Sequence, residues 1–567
     1  MTDANGNMRV KDDVEHSLPW VDGLTLGAML RMVAERAPDR SALVFSSPGY
    51  RVSYGDLDRQ TDEVAHGLLA LGIEHGDRVA VWSTNRPEWV LLQLGAARIG
   101  AVLVTVNPAF HEDELLYVLQ QSGAKALFLT DRFKSTDYFA TAMAAVPTME
   151  RTSPGELRDA LATDLCWVVA FPDQHPECML GWAEMLARGA DVEPEVLRER
   201  QRNLGPGDPI NLQYTSGTTG FPKGAMLSHR SLLYNGWYVG VAQRLTSADR
   251  ICSPVPLYHC FGCVIGVLGS MTHGATLLVP SEYFDPAKTL DCMESERATA
   301  IYGVPTMFIA ELEHPSYPGR DLSSLRTGIM AGAPCPVELM RRVLDDMGAS
   351  EMTIAYGLTE TSPVATQTLP DDAIETRVET VGIPFPGVEV RIIEPGTDEP
   401  CADGVAGEIC IRGHNVMLGY YNMPEATAQT IDSDGWLHSG DLGMRDADGY
   451  LRITGRIKDM LIRGGENIYP REIEEVLYRH PSVEQVEVIG VPDARLGEEV
   501  CAWVKVVTDA EASADELREF CRSNLAHFKV PRYVIFTDDF PTTVSGKVQK
   551  FKLRDLAAER LSDDSRR

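Results

Sequence analysis

Short apolar, β-branched runs alternate with amphipathic stretches along the first two-thirds of the chain. Arg78–Trp82 (RVAVW) reads as a strand, and Pro87–Ile99, behind the candidate cap Asn85, predicts a helix. Residues 100–106 predict the next strand, stopped by Asn107-Pro108. The period recurs at Ala124–Leu129, Trp167–Phe171, Thr276–Val279, Ala300–Tyr302 and Arg326–Met330. Strands alternating with helices predict parallel sheets covered on both faces, with ligands outside the carboxyl ends of the strands.

From about Thr380 the texture changes. VEVRII (388–393) and GEICIR (407–412) alternate between Gly/Pro/Asp turns, the pattern of a small β-rich subdomain. After Gly455-Arg456 a further change leads through Ile462-Arg463-Gly464-Gly465 into a predicted helix, Pro470–Arg479. The expected fold is α/β. A large N-terminal domain, 1–456, holds two αβ-layered subdomains and the small β-rich one; a small mobile α+β C-terminal domain, 457–567, follows.

Composition narrows the class. The chain has 567 residues, with Lys+Arg 52 against Asp+Glu 82, a net charge of −30. Such acidity argues against binding a phosphate backbone, so no nucleic-acid partner is expected. Hydrophobic residues at 44% and charged ones at 24% are those of an ordinary globular protein, not a disordered or coiled-coil one. The 11 cysteines are odd in number and scattered through apolar contexts, which suits reduced thiols in a cytosol. Neither the acidic N-terminal stretch nor the terminal DDSRR reads as a targeting signal, so a cytoplasmic protein is expected. Ile251–Ser281 contains no Asp, Glu, Lys or Arg, but prolines, glycines and histidines break it too often for a membrane span. It is expected to be pocket wall or interface, and no integral membrane contact follows from it.

The sharpest local feature is YTSGTTGFPKGAMLSH (214–229), which follows the strand-like run 209–213. Its glycines allow close backbone approach to a ligand, and its hydroxyls can donate to phosphate oxygens. The Gly-Lys-Ser/Thr order of a Walker A loop is absent. Further motifs follow in order: PLYHCFG (256–262), AGAPCP (331–336), AYGLTETSP (355–363), GWLHSGDLG (435–443), GRIKDMLIRGGENIYPREIE (455–474) and PTTVSGKVQK (541–550). Together they resemble the signature of the adenylate-forming superfamily, over nearly the whole chain from about residue 20. The wording of the later motifs is most similar to the medium-chain fatty acyl-CoA synthetases.

That resemblance implies a two-step reaction. A carboxylate and ATP give an acyl-AMP and pyrophosphate; the acyl group then passes to the thiol of CoA, releasing AMP. The acid is already ionised at neutral pH, so the first step needs cations and aligned N–H donors rather than a base. Carried over motif by motif, Lys547 is the catalytic lysine between carboxylate and α-phosphate, Thr359 contacts phosphate and Glu360 holds Mg²⁺. ATP and AMP would be bound by Thr215, Ser216, Gly217, Thr218, Thr219 and Lys223 of the phosphate loop. Gly332, Ala333, Tyr356 and Gly357 would frame the adenine, while Asp441 takes the ribose hydroxyls and Arg456 contacts ribose or phosphate. Lys458 sits at the hinge. Gly464 and Gly465 would line the CoA tunnel, with Phe528 and Lys529 as further CoA contacts. His259 stands at the mouth of the acyl site.

The acyl pocket is expected from Cys260, Phe261, Cys263, Val304, Gly357 and Leu358. None is charged, which disfavours an amino-acid substrate, whose buried ammonium would need a partner. Acetate-specific relatives carry Trp at the position of Gly357, so the small residue is read as opening depth for a medium chain. An aryl-CoA ligase, or an acyl-AMP ligase loading a carrier protein, remains the alternative. A catalytically idle nucleotide binder sits poorly with the retained Lys547, Glu360 and Asp441. The Cys260–Cys263 spacing lacks the second pair of a zinc or redox motif. The implied cofactors are ATP, Mg²⁺ and CoA, and a homodimer is left open.

Overall fold

The computed structural model describes residues 18–215, 222–333, 335–464, 466–493, 495–507, 510–543 and 548–564. They form two compact units: Met1–Val378 with Pro384–Glu389 and Arg412–Leu437, and Glu379–Ile383 with Val390–Ile411 and His438–Arg567. The segments of the small β-rich subdomain, which the sequence reading attaches to 1–456, thus group with the end of the chain.

The first unit is built on two large sheets. One runs in the order Gly419–Tyr420, Lys223–Ser228, Pro209–Thr215, Val102–Thr105, Arg78–Trp82, Ala124–Leu129, Trp167–Ala170 and Leu180–Gly181. Its centre is parallel, and the strands at Lys223 and Gly419 are antiparallel. The other sheet runs Val364–Gln367, Glu351–Gly357, Thr327–Ala331, Ala300–Gly303, Arg250–Cys252, Thr276–Val279, Ser41–Phe45 and Tyr50–Ser53. The expected strands stand where the apolar runs place them because parallel strands covered on both faces must be apolar throughout. Val79, Ala80, Val81 and Trp82 are all fully buried.

The helix Pro87–Ile99 forms as predicted, but its cap does not. Arg86 occupies the N-cap, its side chain making no capping bond, and Pro87 takes the first helical position. Asn85 instead turns inward, for a reason given below.

The uncharged run 251–281 lies inside this unit. Phe261–Leu268 winds with the wider i→i+5 spacing of a π-helix and continues into the short helix Gly269–Thr272; all twelve residues are buried. A Cβ on Gly262 would come 2.3 Å from Pro256 O, which ties the tight entry to this segment to glycine. π turns of this kind are uncommon and concentrate at functional sites.

The second unit contains a four-stranded antiparallel-edged sheet, Val388–Ile393, Gly407–Gly413, Leu437–Arg445 and Leu451–Arg456. A five-stranded sheet follows, in which the long hairpin Val483–Asp493/Gly497–Val506 is flanked by Leu461–Arg463, Glu466–Ile468 and Tyr533–Phe536. The helix Pro470–Leu477 buries Ile473 and Leu477 in the core under this hairpin. Among the described residues, no helix is long and apolar enough to cross a membrane.

Candidate active site

In the first unit, the predicted site residues gather at the carboxyl ends of strands. Thr215 ends its strand opposite Lys223, so the hairpin 209–228 brackets the segment predicted to bind phosphate. Ser216, Gly217, Thr218 and Thr219 themselves lie outside the described residues. The strand from Lys223 pairs on its other side with Gly419–Tyr420, which brings the Lys223 ammonium to 5.0 Å from the ring of Tyr420. The Tyr420 hydroxyl donates to Oε1 of Glu360 at 2.7 Å, and the backbone N–H of Met417 donates to the Glu360 carbonyl at 2.8 Å. Burial and the Glu360 charge both push the phenol well above its ordinary pKa, so it stays a donor. Oε2 of Glu360 has no protein donor among the described residues. A half-buried carboxylate with one oxygen oriented and the other available suits Mg²⁺, which takes one or two carboxylates plus waters and phosphates.

Thr359 opens the single turn Thr359–Thr361, and its hydroxyl lies 3.8 Å from Cys260 Sγ. Buried Asn235 holds the following backbone from both sides. Its Nδ2 donates to Val364 O at 2.7 Å and Thr361 O at 3.3 Å, while its Oδ1 accepts from the Val364 N–H at 3.1 Å. Asn235 sits mid-helix in an apolar stretch, and nothing local in the sequence marks it as a brace.

Asn85 performs the same service on the side predicted to hold the acyl chain. Its amide donates to Val255 O at 3.1 Å and accepts from Leu257 N–H at 2.8 Å, anchoring the segment that leads to His259. The His259 Nδ1 accepts the Phe261 N–H at 3.1 Å, so a neutral imidazole carries its proton on Nε2. Cys260 and Cys263 are buried; burial pushes the Cys260 thiol up to about 12 and raises that of Cys263, so both stay protonated. Gln93 donates to Cys263 O and Gln213 to Cys263 Sγ, each at 3.2 Å, which tethers the π turn to the neighbouring helix and strand. Phe261 and Tyr302 are close, with ring centroids 6.2 Å apart, and Val304 follows at the end of the strand Ala300–Gly303. Leu358 and Ala333 are half-buried, and Gly332 and Gly357 are exposed. Tyr356 precedes Gly357 at the end of its strand.

One inference from the sequence needs correcting. A Cβ on Gly357 would lie 2.0 Å from Pro363 O and 2.9 Å from Val364 Cα. The backbone at Pro363 and Val364 leaves no room for a Cβ here, so in this chain the glycine answers a local backbone constraint and is not by itself a measure of pocket depth.

In the second unit, Asp441 and Arg456 face each other across two paired strands, and Arg456 Nε donates to Asp441 Oδ1 at 2.9 Å. Lys458 lies in the turn Ile457–Asp459; burial and neighbouring Arg456 hold its pKa below the ordinary lysine value. Gly464 adopts φ +62° with its N–H on Leu496 O at 2.8 Å, so a left-handed turn requires glycine irrespective of any ligand. Gly465 and Lys547 lie outside the described residues. Phe528 packs on the core, and Lys529 is paired with both oxygens of Glu472 at 2.6 Å. A further lysine, Lys550, is tied to Glu474 at 2.6 Å and Glu487 at 3.2 Å. It begins the terminal helix Lys550–Asp564, and its being three residues from Lys547 is all the sequence offers to mark it.

The chain is similar to known proteins in sequence and in fold. The AMP-binding enzyme model matches residues 30–421, and the AMP-binding enzyme C-terminal domain model matches 472–547. YngI of Bacillus subtilis (strain 168), whose acyl-CoA synthetase name is itself provisional, is 48% identical over 535 residues, covering 94% of this chain and 97% of that protein. The mitochondrial medium-chain acyl-CoA ligase of Bos taurus is 41% identical over 543 residues, covering 95% and 88%. ATP-bound MatB from Rhodopseudomonas palustris matches with a TM-score of 0.80 at 30% identity, over 94% of this chain and 99% of that one. Such matches extend over both the N-terminal and C-terminal family regions. The chain belongs to the AMP-binding enzyme family, the adenylate-forming superfamily that its ordered motifs resemble.

Proposed function

We propose that this protein is an ATP-dependent acyl-CoA synthetase that activates a medium-chain fatty acid as its acyl-AMP and transfers the acyl group to CoA, in the cytoplasm. The observation that carries the reading is the buried, uncharged wall Cys260–Leu268, which begins at the cysteine touching Thr359, next to Glu360. An apolar wall that starts beside candidate phosphate-binding groups suits an acid with a charged head and an aliphatic tail. Each buried methylene adds about 0.8 kcal/mol, enough to select strongly against acetate. Relatives named for medium-chain acids support the same choice.

In this reading a carboxylate oxygen attacks the α-phosphorus of ATP and pyrophosphate departs. Lys547 bridges the two anions as a compact point charge, and Thr359 with the loop Thr215–Lys223 holds the phosphates. Glu360 holds Mg²⁺, which when bound offsets phosphate charge; Tyr420 orients that carboxylate. Tyr356, with Gly332 and Ala333, frames adenine, and Asp441 accepts both ribose hydroxyls. The CoA thiolate then attacks the acyl carbon, AMP leaves, and the thiol proton goes to solvent. Lys458 is the pivot between a catalytic body, 1–456, and a lid, 457–567, whose Gly464, Gly465, Phe528 and Lys529 serve CoA in the second step.

The test separates the half-reactions. With a medium-chain acid, ATP, Mg²⁺ and CoA, the enzyme should release AMP and pyrophosphate and form the thioester. Lys547→Ala should lose most adenylation and keep thioester formation from supplied acyl-AMP. Equal loss of both steps would overturn the role given to Lys547, and thioester formation absent with every acid would overturn the function.

A further inference from the structure

The second unit carries a cluster that the proposed reaction does not use. Glu408 and Cys410 are two apart on the strand Gly407–Gly413, hence on one face of it, and His438 lies on the neighbouring strand Leu437–Arg445. His438 Nδ1 is 3.2 Å from Glu408 Oε2 and 3.6 Å from Cys410 Sγ, and the three atoms lie within 4.8 Å of one another. We propose that Glu408, Cys410 and His438 form a binding site for a thiophilic divalent cation of the Zn²⁺ class.

The spacing is compatible with such an ion. With Zn–S of about 2.3 Å and Zn–N of about 2.0–2.1 Å, tetrahedral angles put sulfur and nitrogen about 3.5 Å apart. The corresponding nitrogen–oxygen edge is about 3.4 Å. Both observed separations fall close to these edges. Three protein ligands leave a fourth position for water, the pattern of open zinc sites.

Charge and support agree. A carboxylate, a thiolate and a neutral imidazole cancel a dication, so the filled site is uncharged in a half-buried place. Glu408 Oε1 accepts the Gly440 N–H at 3.2 Å, which orients the carboxylate and leaves Oε2 toward the histidine. Ser439 Oγ donates to Ile409 O at 2.7 Å, holding together the two strands that supply the ligands. The Cys410 side chain is buried, and His438 is 25% exposed, which gives the ion a way in. Mg²⁺ prefers oxygen donors and would not compete for the thiolate. On binding, the Cys410 thiol loses its proton to solvent as the metal–sulfur bond forms.

Cobalt(II), which takes zinc's tetrahedral geometry with visible and near-ultraviolet absorption, is the probe. The chelator-treated full chain should bind one equivalent with a thiolate-to-metal charge-transfer band, release a proton into a dye-monitored buffer, and lose the band on adding Zn²⁺. Cys410→Ser should abolish the band, and His438→Ala should weaken binding by about 10-fold or more. Cys166→Ser, at a half-buried thiol elsewhere, should bind as the parent does. No charge-transfer band in the parent, or a band that survives Cys410→Ser, overturns the proposal. If Cys410→Ser does not fold, unchanged cobalt affinity in His438→Ala overturns it equally.

Discussion

The phenol of Tyr420 donates to Oε1 of Glu360 at 2.7 Å from a position 60 residues further along the chain. The same ring lies against the Lys223 ammonium, so one side chain joins the phosphate-loop hairpin to the carboxylate proposed for Mg²⁺. Tyr420→Phe keeps the ring and removes the donor. Its apparent Mg²⁺ affinity in pyrophosphate exchange should fall about 10–100-fold, with saturating Mg²⁺ restoring much of the rate. An unchanged Mg²⁺ dependence would mean that the phenol does not position Glu360.

Gly357→Ala separates two readings of one residue. Because the new methyl would meet Pro363 O, the variant should lose activity with every acid alike, from acetate to long chains. Selective loss of the longer acids would restore Gly357 as a measure of pocket depth.

Asn85→Ala leaves the Val255 carbonyl and the Leu257 N–H without their partner in a buried place. A cost of about 1–3 kcal/mol follows, readable as a lower denaturation midpoint. Since the freed segment leads to His259, KM for the acid should rise more than KM for ATP.

Glu311 gives a pH dependence whose sign is set by burial. The side chain is buried, its carboxylate oxygens have no hydrogen-bond partner among the described residues, and burial raises its pKa from 4.5 to about 8. The folded protein thus holds a proton that the unfolded chain gives up above pH 4.5. Stability is fully present below that pH and is lost as pH rises toward about 8, by at most about 1.4 kcal/mol per unit. Glu311→Gln removes this slope: its melting temperature should gain on the parent's between pH 5 and 8 and then level off. A constant difference across that range would contradict the assignment.

Lys550→Met leaves Glu474 and Glu487 facing each other without their cation. The pair sits at the foot of the terminal helix, with Glu474 also accepting the Val488 N–H at 2.8 Å. Removing one partner of a largely buried ion cluster costs about 3 kcal/mol. Urea titration of the full chain would show it as an early transition of the second unit; a superimposable curve would mean the lysine is dispensable.

Legibility in the sequence followed the range of the interaction. Strands such as Arg78–Trp82 were readable because double-faced burial leaves a continuous apolar run. Asn85 was readable only as a cap, since its true partners are 170 and 172 positions away. Asn235, at 129 positions from Val364, looks like an ordinary helix residue. Glycine is ambiguous: Gly357 and Gly464 both meet backbone demands, a cause that local pattern cannot separate from room for a ligand.

The central claim is the acid. Pyrophosphate exchange across fatty acids from C2 to C16, benzoate and several amino acids, each repeated with CoA and product detection, tests it most directly. The account predicts a maximum near octanoate with AMP release that requires CoA. A maximum at benzoate, or exchange that never yields a CoA thioester, would contradict it.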